Sequence, residues 1–431
     1  MSPLANLPTG AAAIFWGVLT FSILVVLHEG GHFLAARAFG VKVHEFMLGL
    51  PGPALRWRSK RSGVVYGITA IPLGGYVRIA GMEPGSEDEL LGRALGLLVD
   101  RGRIDSTDLA SELAIPKDRA SALLATLEDY RAAEAIEGWP ESRPVVQREA
   151  GEDDVALLAR VRSSVYRGQA SWKRIAILAM GVLVNLATAV LVFTVVLSAF
   201  GLPVPSDKPV VGSVQSGSAA AVAGLQPGDV VLNIEGATVA RWGLLQERIA
   251  AYRPGQTVHV GISRNTVPMS VSVTLGARTD TPTVAFLGVG PGEDHERLPV
   301  LAALKTSFGY IGLTFVAIAD FFNPTKFAAS VSNARSVVGI SYEVARAAEA
   351  GPFEYAWLVA VLSLSLGVMN ILPIPPLDGG KVAVEIVEAL VRRPIPKKIS
   401  YALSGIGAAL LFSLIFYLMY ADVMRYVVHG S

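Results

Sequence analysis

His28-Glu29-Gly30-Gly31-His32 sets two imidazoles four residues apart, with a carboxylate directly after the first. In a helix, positions i and i+4 share one face, so both rings can turn toward a single ion while the glutamate stays beside them. Such a pair suits zinc, which takes three protein groups and keeps a fourth position for a water whose pKa falls toward ~7. The adjacent carboxylate can take that water's proton and pass it to a leaving amine, which is the chemistry of a peptide hydrolase. The same five residues arise by chance on soluble helices. Here they interrupt the apolar run 11–36, and an ionisable group costs at least ~2.5 kcal/mol at the centre of a membrane helix. Three such groups within a turn and a half point to chemistry rather than packing.

A third ligand is needed. The chain has no cysteine, so disulfides and thiolate ligands are excluded and only His, Asp and Glu can serve. Glu45 is the nearest acidic residue, but it follows the first apolar run in what reads as a solvated loop. Asn370-Ile371-Leu372-Pro373-Ile374-Pro375-Pro376-Leu377-Asp378-Gly379-Gly380 offers a better candidate. Its prolines break another apolar run at membrane depth, where irregular backbone is tolerated only around a cavity. Asp378 can complete a two-histidine, one-carboxylate site. Asn370 can hold a substrate carbonyl or its oxyanion, although an amide there would also satisfy unwound backbone.

These motifs need elements to position them. Of 431 residues, 52% are hydrophobic and 17% charged, and the net charge of +1 supplies no basic field for nucleic acid. About 20 apolar residues cross the hydrocarbon as a helix, and the runs 11–36, 175–200, 355–372 and 401–420 qualify. The run 299–322 carries Lys305 and Asp320 and reads as an interfacial helix. The first run lacks a basic n-region and a cleavage site, so it reads as a retained span. Basic residues flank 41–174 and fill the loop 381–398, which the positive-inside rule assigns to the cytoplasm, leaving both termini and 201–298 outside.

Between the first two spans, residues 64–70 and 76–80 are β-prone and joined by Ile71-Pro72-Leu73-Gly74-Gly75, which predicts a hairpin. A helical substrate hides its carbonyls in backbone hydrogen bonds, and an exposed strand edge can hold it once unwound. Gly74, Gly75, Asn370 and Pro375 are the expected substrate contacts. Residues 86–165 read as an inserted helical unit, with Ser106 or Thr107 as a cap and a helix over 118–130. Its Asp108-Leu109-Ala110 and Ala122-Leu123-Leu124 spacing resembles a winged helix-turn-helix. Acidic residues outnumber basic ones there, so no nucleic acid is expected and a protein partner is. Residues 210–275 alternate in short strands with Pro-Gly punctuation, and the lone His259 among them reads as structural.

Together, the His-Glu-x-x-His and Asn…Asp-Gly motifs in separate spans resemble the site-2 protease family of zinc intramembrane metalloproteases, in its bacterial PDZ-containing branch. Ile71-Pro72-Leu73-Gly74-Gly75-Tyr76-Val77 resembles the family's membrane-associated hairpin. Residues 179–185 resemble its Gly-x-x-x-Asn segment, with Val182 where many relatives carry proline. The resemblance implies an α-helical multi-pass membrane protein of about four spans with one catalytic Zn2+, held by His28, His32 and Asp378, with Glu29 and Asn370 catalytic. The implied organisation is 1–40 first span, 41–85 hairpin region, 86–165 cytoplasmic insert, 171–200 second span, 208–278 extracytoplasmic PDZ domain, 295–350 interfacial region, 354–380 third span and 399–424 fourth span. It further implies residence in the bacterial inner membrane. The implied substrates are transmembrane segments of single-pass proteins already trimmed by another protease, such as anti-sigma factors, or signal-peptide remnants. A membrane scaffold with an inert site and a metal transporter are the rival readings; neither explains a glutamate fixed beside the histidine.

Overall fold

An apolar run in lipid must satisfy every backbone group internally and therefore folds as a helix; Thr9–Ala38 forms α1 accordingly. The computed structural model describes residues 9–71, 74–82, 88–277 and 283–424. Pro72 and Leu73 of the expected strand connection, residues 83–87 at the expected start of the insert, and both chain ends lie outside these. The chain divides into two units, Met1–Thr194 with Leu304–Ser431, and Val195–Ala303.

After α1 come β1 (Val43–Leu48), β2 (Ala54–Arg58), β3 (Val65–Thr69) and β4 (Gly75–Ile79), in one sheet of order β2-β3-β1-β4. The expected hairpin is thereby corrected: β3 and β4 do not pair with each other. Each pairs with β1, in parallel and antiparallel respectively. The physical reason lies in β1, read from sequence as a loop around Glu45. Its Val43 and Met47 are buried on one face while Phe46 meets Phe33 of α1 at 5.4 Å on the other, which suits a central strand. A two-stranded hairpin alone is marginal.

The insert comprises α2 (Leu91–Arg101), β5 (Ile104–Asp105), α3 (Ser106–Leu113), α4 (Lys117–Asp129), β6 (Ala133–Ala135), β7 (Glu141–Pro144) and α5 (Asp154–Arg162), with its strands in the order β5-β7-β6. Leu91, Leu95, Leu98, Leu109, Leu123, Leu127 and Leu157 form its core. The cap of α3 is Asp105, whose carboxylate accepts from Thr107 N at 2.8 Å and Asp108 N at 2.7 Å, and not Ser106 or Thr107; a carboxylate reaches both orphan amides where a hydroxyl one residue later cannot. The insert is tied to the sheet. His44 Nε2 donates to Asp129 O at 2.7 Å, and Arg131 Nη2 to Gly63 O at 2.8 Å.

Helix α6 (Ser171–Ala199) leads to the second unit, which holds β8 (Leu202–Pro205), β9 (Val211–Val214), α7 (Ala219–Val222), β10 (Val230–Ile234), β11 (Ala237–Thr238), α8 (Trp242–Ala250), β12 (Thr257–Arg264) and β13 (Val267–Thr274). Its main sheet runs β11-β10-β12-β13 over a core that includes Val231, Ile234, Leu245, Val260 and Ile262. Asn265 and Thr266 turn β12 into β13 with positive φ at both positions, the two-residue hairpin geometry that follows strand twist. His259 is exposed and lies 3.1 Å from Glu235, a surface pairing.

The chain then forms α9 (Val300–Ala319), α10 (Phe327–Asn333), α11 (Val337–Ala350), α12 (Pro352–Ile371), α13 (Asp378–Val391) and α14 (Lys397–Val423). By length and composition, five helices among the described residues can cross a membrane: Gly10–Ala38, Ser171–Ala199, Val300–Phe322, Pro352–Ile371 and Lys398–Val423. The expected interfacial run is thus among the candidates. The stretch 381–398, expected as a loop, is mostly α13, because Val382, Ile386 and Leu390 recur at helical spacing. Helices α1 and α12 run in the same direction, with Thr20 Oγ1 2.9 Å from Tyr355 OH near the start of α12, and His28, two turns further along α1, against Asp378 beyond the end of α12.

In the second unit, Arg264 Nη2 and Nε donate to the buried Asp229 carboxylate, both at 2.7 Å, and hold it below its usual value of 3.8. Because the folded-state value lies below the unfolded one, this stabilisation is present at neutral pH and is lost as pH falls below 3.8 toward the depressed value. Asp229→Asn is expected to lower the opening free energy of this unit by about 1–3 kcal/mol at pH 7. Hydrogen exchange of β10 and β12 amides in the intact chain measures this, and the gap between variant and parent should narrow in acid.

Candidate metal centre

Helix α1 turns His28 and His32 toward one point, their rings 4.9 Å apart and nearly perpendicular at 86°. Their Nε2 atoms are 3.3 Å apart, and Asp378 Oδ2 lies 2.9 Å from the first and 3.0 Å from the second. All three residues are buried. Among the described residues, they are the group of His and carboxylate ligand atoms that meets within 4.8 Å.

Helix α6 makes the room. A Cβ on Gly31 would fall 2.6 Å from Met180 O, so only glycine lets α1 and α6 approach this closely. A Cβ on Gly181 would overlap His32 Nε2 and lie 2.9 Å from His28 Cε1. One turn along α6, the fully buried Asn185 places Nδ2 3.1 Å from His28 Nδ1, and Ser363 of α12 donates to Asn185 O at 2.9 Å. Sequence reasoning noted residues 179–185 but missed this role for Asn185. The signal was its i+4 spacing from Gly181, which puts both on one helix face.

Asp378 is the first residue of α13, and Lys381 Nζ donates to its Oδ1 at 3.1 Å, leaving Oδ2 aimed at the histidines. At the far side of α13, Arg174 Nη1 lies 3.1 Å from Glu385 Oε2 and Tyr166 OH donates to Glu385 Oε1 at 3.0 Å. Burial pushes the Glu385 carboxyl up, against the opposing pull of Arg174. This clamp fixes the helix that carries Asp378.

The residues fit a zinc ion. A tetrahedral shell with bonds of about 2.0–2.1 Å has ligand–ligand edges of roughly 3.3 Å, close to the 2.9–3.3 Å found. His32 Nδ1 bonds Ile177 O at 2.8 Å, which assigns the proton to Nδ1 and leaves the Nε2 lone pair free. Asn185 Oδ1 is buried without a partner. A half-turn of that amide would bring Oδ1 to an Nδ1–H on His28, freeing its Nε2 in the same way.

Glu29 Oε2 accepts from the backbone N–H of Val77 in β4 at 3.1 Å, so the sheet orients this carboxylate. Glu45 accepts from Tyr76 OH at 3.1 Å and stands outside the ligand group. Asn370 is buried in the last turn of α12, at the entry to the proline loop, with no side-chain hydrogen bond among the described residues. Gly74 has φ +84°, and a Cβ on Gly75 would meet Met47 O at 2.8 Å. Pro375 is packed beneath Gly380 and Gly407, each of whose Cβ atoms would strike its backbone, so it shapes the loop from behind.

The chain matches Peptidase family M50 over residues 16–414. The zinc metalloprotease RasP of Geobacillus kaustophilus is 30% identical over 427 residues, covering 95% of this chain and 97% of that protein. The metalloprotease MmpA of Caulobacter vibrioides is 28% identical over 437 residues, covering 95% and 94%. Among solved structures, the PDZ domain of an SdrC-like protein from Listeria monocytogenes is 21% identical, covers 20% of this chain and 90% of that one, and has a TM-score of 0.18. Its counterpart from Listeria innocua is 22% identical, covers 21% and 100%, and scores 0.19.

Asn185→Ala is expected to weaken metal binding about 10- to 100-fold, and Gly181→Ala to abolish it by displacing both rings. Zinc retained per purified chain against a competing chelator tests both.

Proposed function

This chain belongs to peptidase family M50 and is an intramembrane zinc metalloendopeptidase of the site-2 protease type; on that premise we propose that His28, His32 and Asp378 hold one zinc ion and that Glu29 is the general base. The observation that carries this reading is the convergence of His28 Nε2, His32 Nε2 and Asp378 Oδ2 within 3.3 Å, in a buried site with Glu29 beside it. Zinc supplies Lewis acidity toward water and the substrate carbonyl. Glu29 takes one proton from the water as its oxygen bonds to the carbonyl carbon, then delivers that proton to the nitrogen as the C–N bond breaks. The Val77 N–H holds one carboxylate oxygen and so fixes the rotamer through both transfers. Asn370 receives the carbonyl oxygen as charge develops.

The substrates are proposed to be transmembrane segments of membrane proteins, single-pass regulators such as anti-sigma factors once trimmed, or signal-peptide remnants. Among the described residues β4 is an edge strand, paired on one side only, and an unwound segment can add to it at Gly74 and Gly75 by β-augmentation. The unit Val195–Ala303 is proposed to be an extracytoplasmic PDZ domain, and the insert a cytoplasmic docking module.

Four crossings are proposed. Ser307 of α9 lies 3.2 Å from Thr194 near the end of α6. Ser336 N donates at 2.6 Å to Asp422 near the end of α14, and Ala345 packs on Ala12 and Ala13 at the start of α1. These groups belong to one side of the bundle, so α9 would need a return crossing if it spanned. The intervening α10 has 7 residues and α11 has 14, too short at 1.5 Å per residue for ~30 Å of hydrocarbon. An interfacial α9 accounts for this.

Glu29→Gln is expected to keep its zinc and lose cleavage of a transmembrane reporter by at least about 10²-fold, since an amide cannot accept the proton. Near-normal cleavage with zinc bound would overturn the assignment. Cysteines placed singly at Gln215 and Ser332 should both react with an impermeant thiol reagent from outside; protection of Ser332 alone would mean that α9 crosses.

A further inference from the structure

The four-stranded sheet carries a surface that catalysis does not use, and three contacts set its depth along α1. A Cβ on Gly75 would lie 3.7 Å from Val25, Val77 bonds Glu29, and Ile79 packs with Ala35 and Ala36. β4 therefore climbs beside α1 from the middle of the span toward its C-terminal end. The strand registers carry this scale across the sheet. Leu48, Ile68 and Leu55 share the level of Gly75, whereas Glu45, Val65 and Arg58 share that of Arg78.

Side-chain chemistry changes along that axis. At the deep end Leu50, Leu55, Ile68 and Ile71 are 49%, 79%, 44% and 55% exposed, a set of large apolar groups with no protein cover. Higher up, Trp57 stacks on Tyr66 with centroids 6.3 Å apart and remains 55% exposed. The cations follow, with Arg58, Lys60 and Arg61 above it and Arg56 one residue below, at the level of Gly67. Arg56, Arg58, Lys60 and Arg61 are all exposed, and none has a hydrogen bond or ion pair among the described residues. Glu45, Glu128 and Glu134 line a cavity with Arg58 but none of them pairs with it: Glu45 accepts from Tyr76, Glu128 accepts from Ser142 and Glu134 pairs with Arg143.

An apolar tip, an aromatic band and a basic collar in that order match the polarity profile of a bilayer from its core to its surface. We propose that Arg56, Arg58, Lys60 and Arg61 form a docking surface for the anionic headgroups of membrane phospholipids, and that this contact holds the sheet at the depth where β4 meets Glu29. The proposal rests on α1 being a membrane span. Guanidinium groups pair with phosphate oxygens in a bidentate manner, and cations at an anionic leaflet gain further from its surface potential. The collar thereby couples leaflet charge to the strand that orients the catalytic carboxylate.

The chain has no native cysteine, so Ser59→Cys can carry a bimane label in the full-length protein. The labelled protein is placed in nanodiscs of one fixed phosphatidylcholine and phosphatidylglycerol composition, with bromine on the tails of one lipid or of the other. Brominated phosphatidylglycerol is expected to quench about twofold more strongly than brominated phosphatidylcholine at equal mole fraction. The preference should vanish in Arg56→Gln/Arg58→Gln/Lys60→Gln/Arg61→Gln and persist when the three arginines become lysine. Equal quenching by the two lipids in the parent, or a preference that survives the four glutamines, overturns the proposal while leaving the zinc-site reading intact. Absence of quenching by either lipid overturns it too, and also places the sheet outside the bilayer.

Discussion

One carboxylate must reach two histidines from 346 and 350 residues away inside a medium that cannot solvate any of them. That meeting of Asp378 with His28 and His32 dictates much of the bundle. It requires α1 and α12 to run the same way, so a helix must return between them, and α6 does so. It requires the backbone to break after Ile371, and the prolines of residues 373–376 provide the break. It also requires α6 to pass within contact of the imidazole rings, which Gly31 and Gly181 permit and any side chain would prevent.

Around this point each polar group is held by a second one. Asn185 and Ile177 O hold the outer nitrogens of the histidines, Lys381 holds the spare oxygen of Asp378, and Val77 N–H holds Glu29. Such partners matter more in lipid than in water, because an unmade hydrogen bond finds no solvent to replace it. They also come from different parts of the chain. β4 holds Glu29, and the insert contacts the same sheet through Asp129 and Arg131. Tyr166, just past the insert, reaches Glu385 on the helix that starts with Asp378. Two short chains of contacts thus run between the insert's surroundings and the site, one ending at Glu29 and one at the helix of Asp378.

The residues proposed as ligands and base, and the apolar spans, were legible in the sequence, because hydrophobicity and i, i+4 spacing are local properties of a helix. So was the helix of residues 117–129, and so was the β character of residues 65–69 and 75–79. Strand pairing was not legible. Nothing in the composition of 43–48 says that it lies between two later strands; its place follows from Phe46 packing on Phe33 and from two faces that both need cover. The helix over Asp378–Val391 was hidden by its charges, which suggested a loop until their far face is seen packed on α6.

His28, Glu29, His32 and Asp378 could be chosen from residue type and spacing alone, since the chemistry needs those groups and membrane helices otherwise exclude them. Gly181, Asn185 and Val77 could not. A glycine, an amide and a backbone N–H carry no mark of function in a sequence, and their roles exist only through proximity across helices and strands. The sequence by itself determined which atoms can do the chemistry. Tertiary packing alone decided where those atoms point, because orientation in a buried site is set by neighbours that lie far away along the chain.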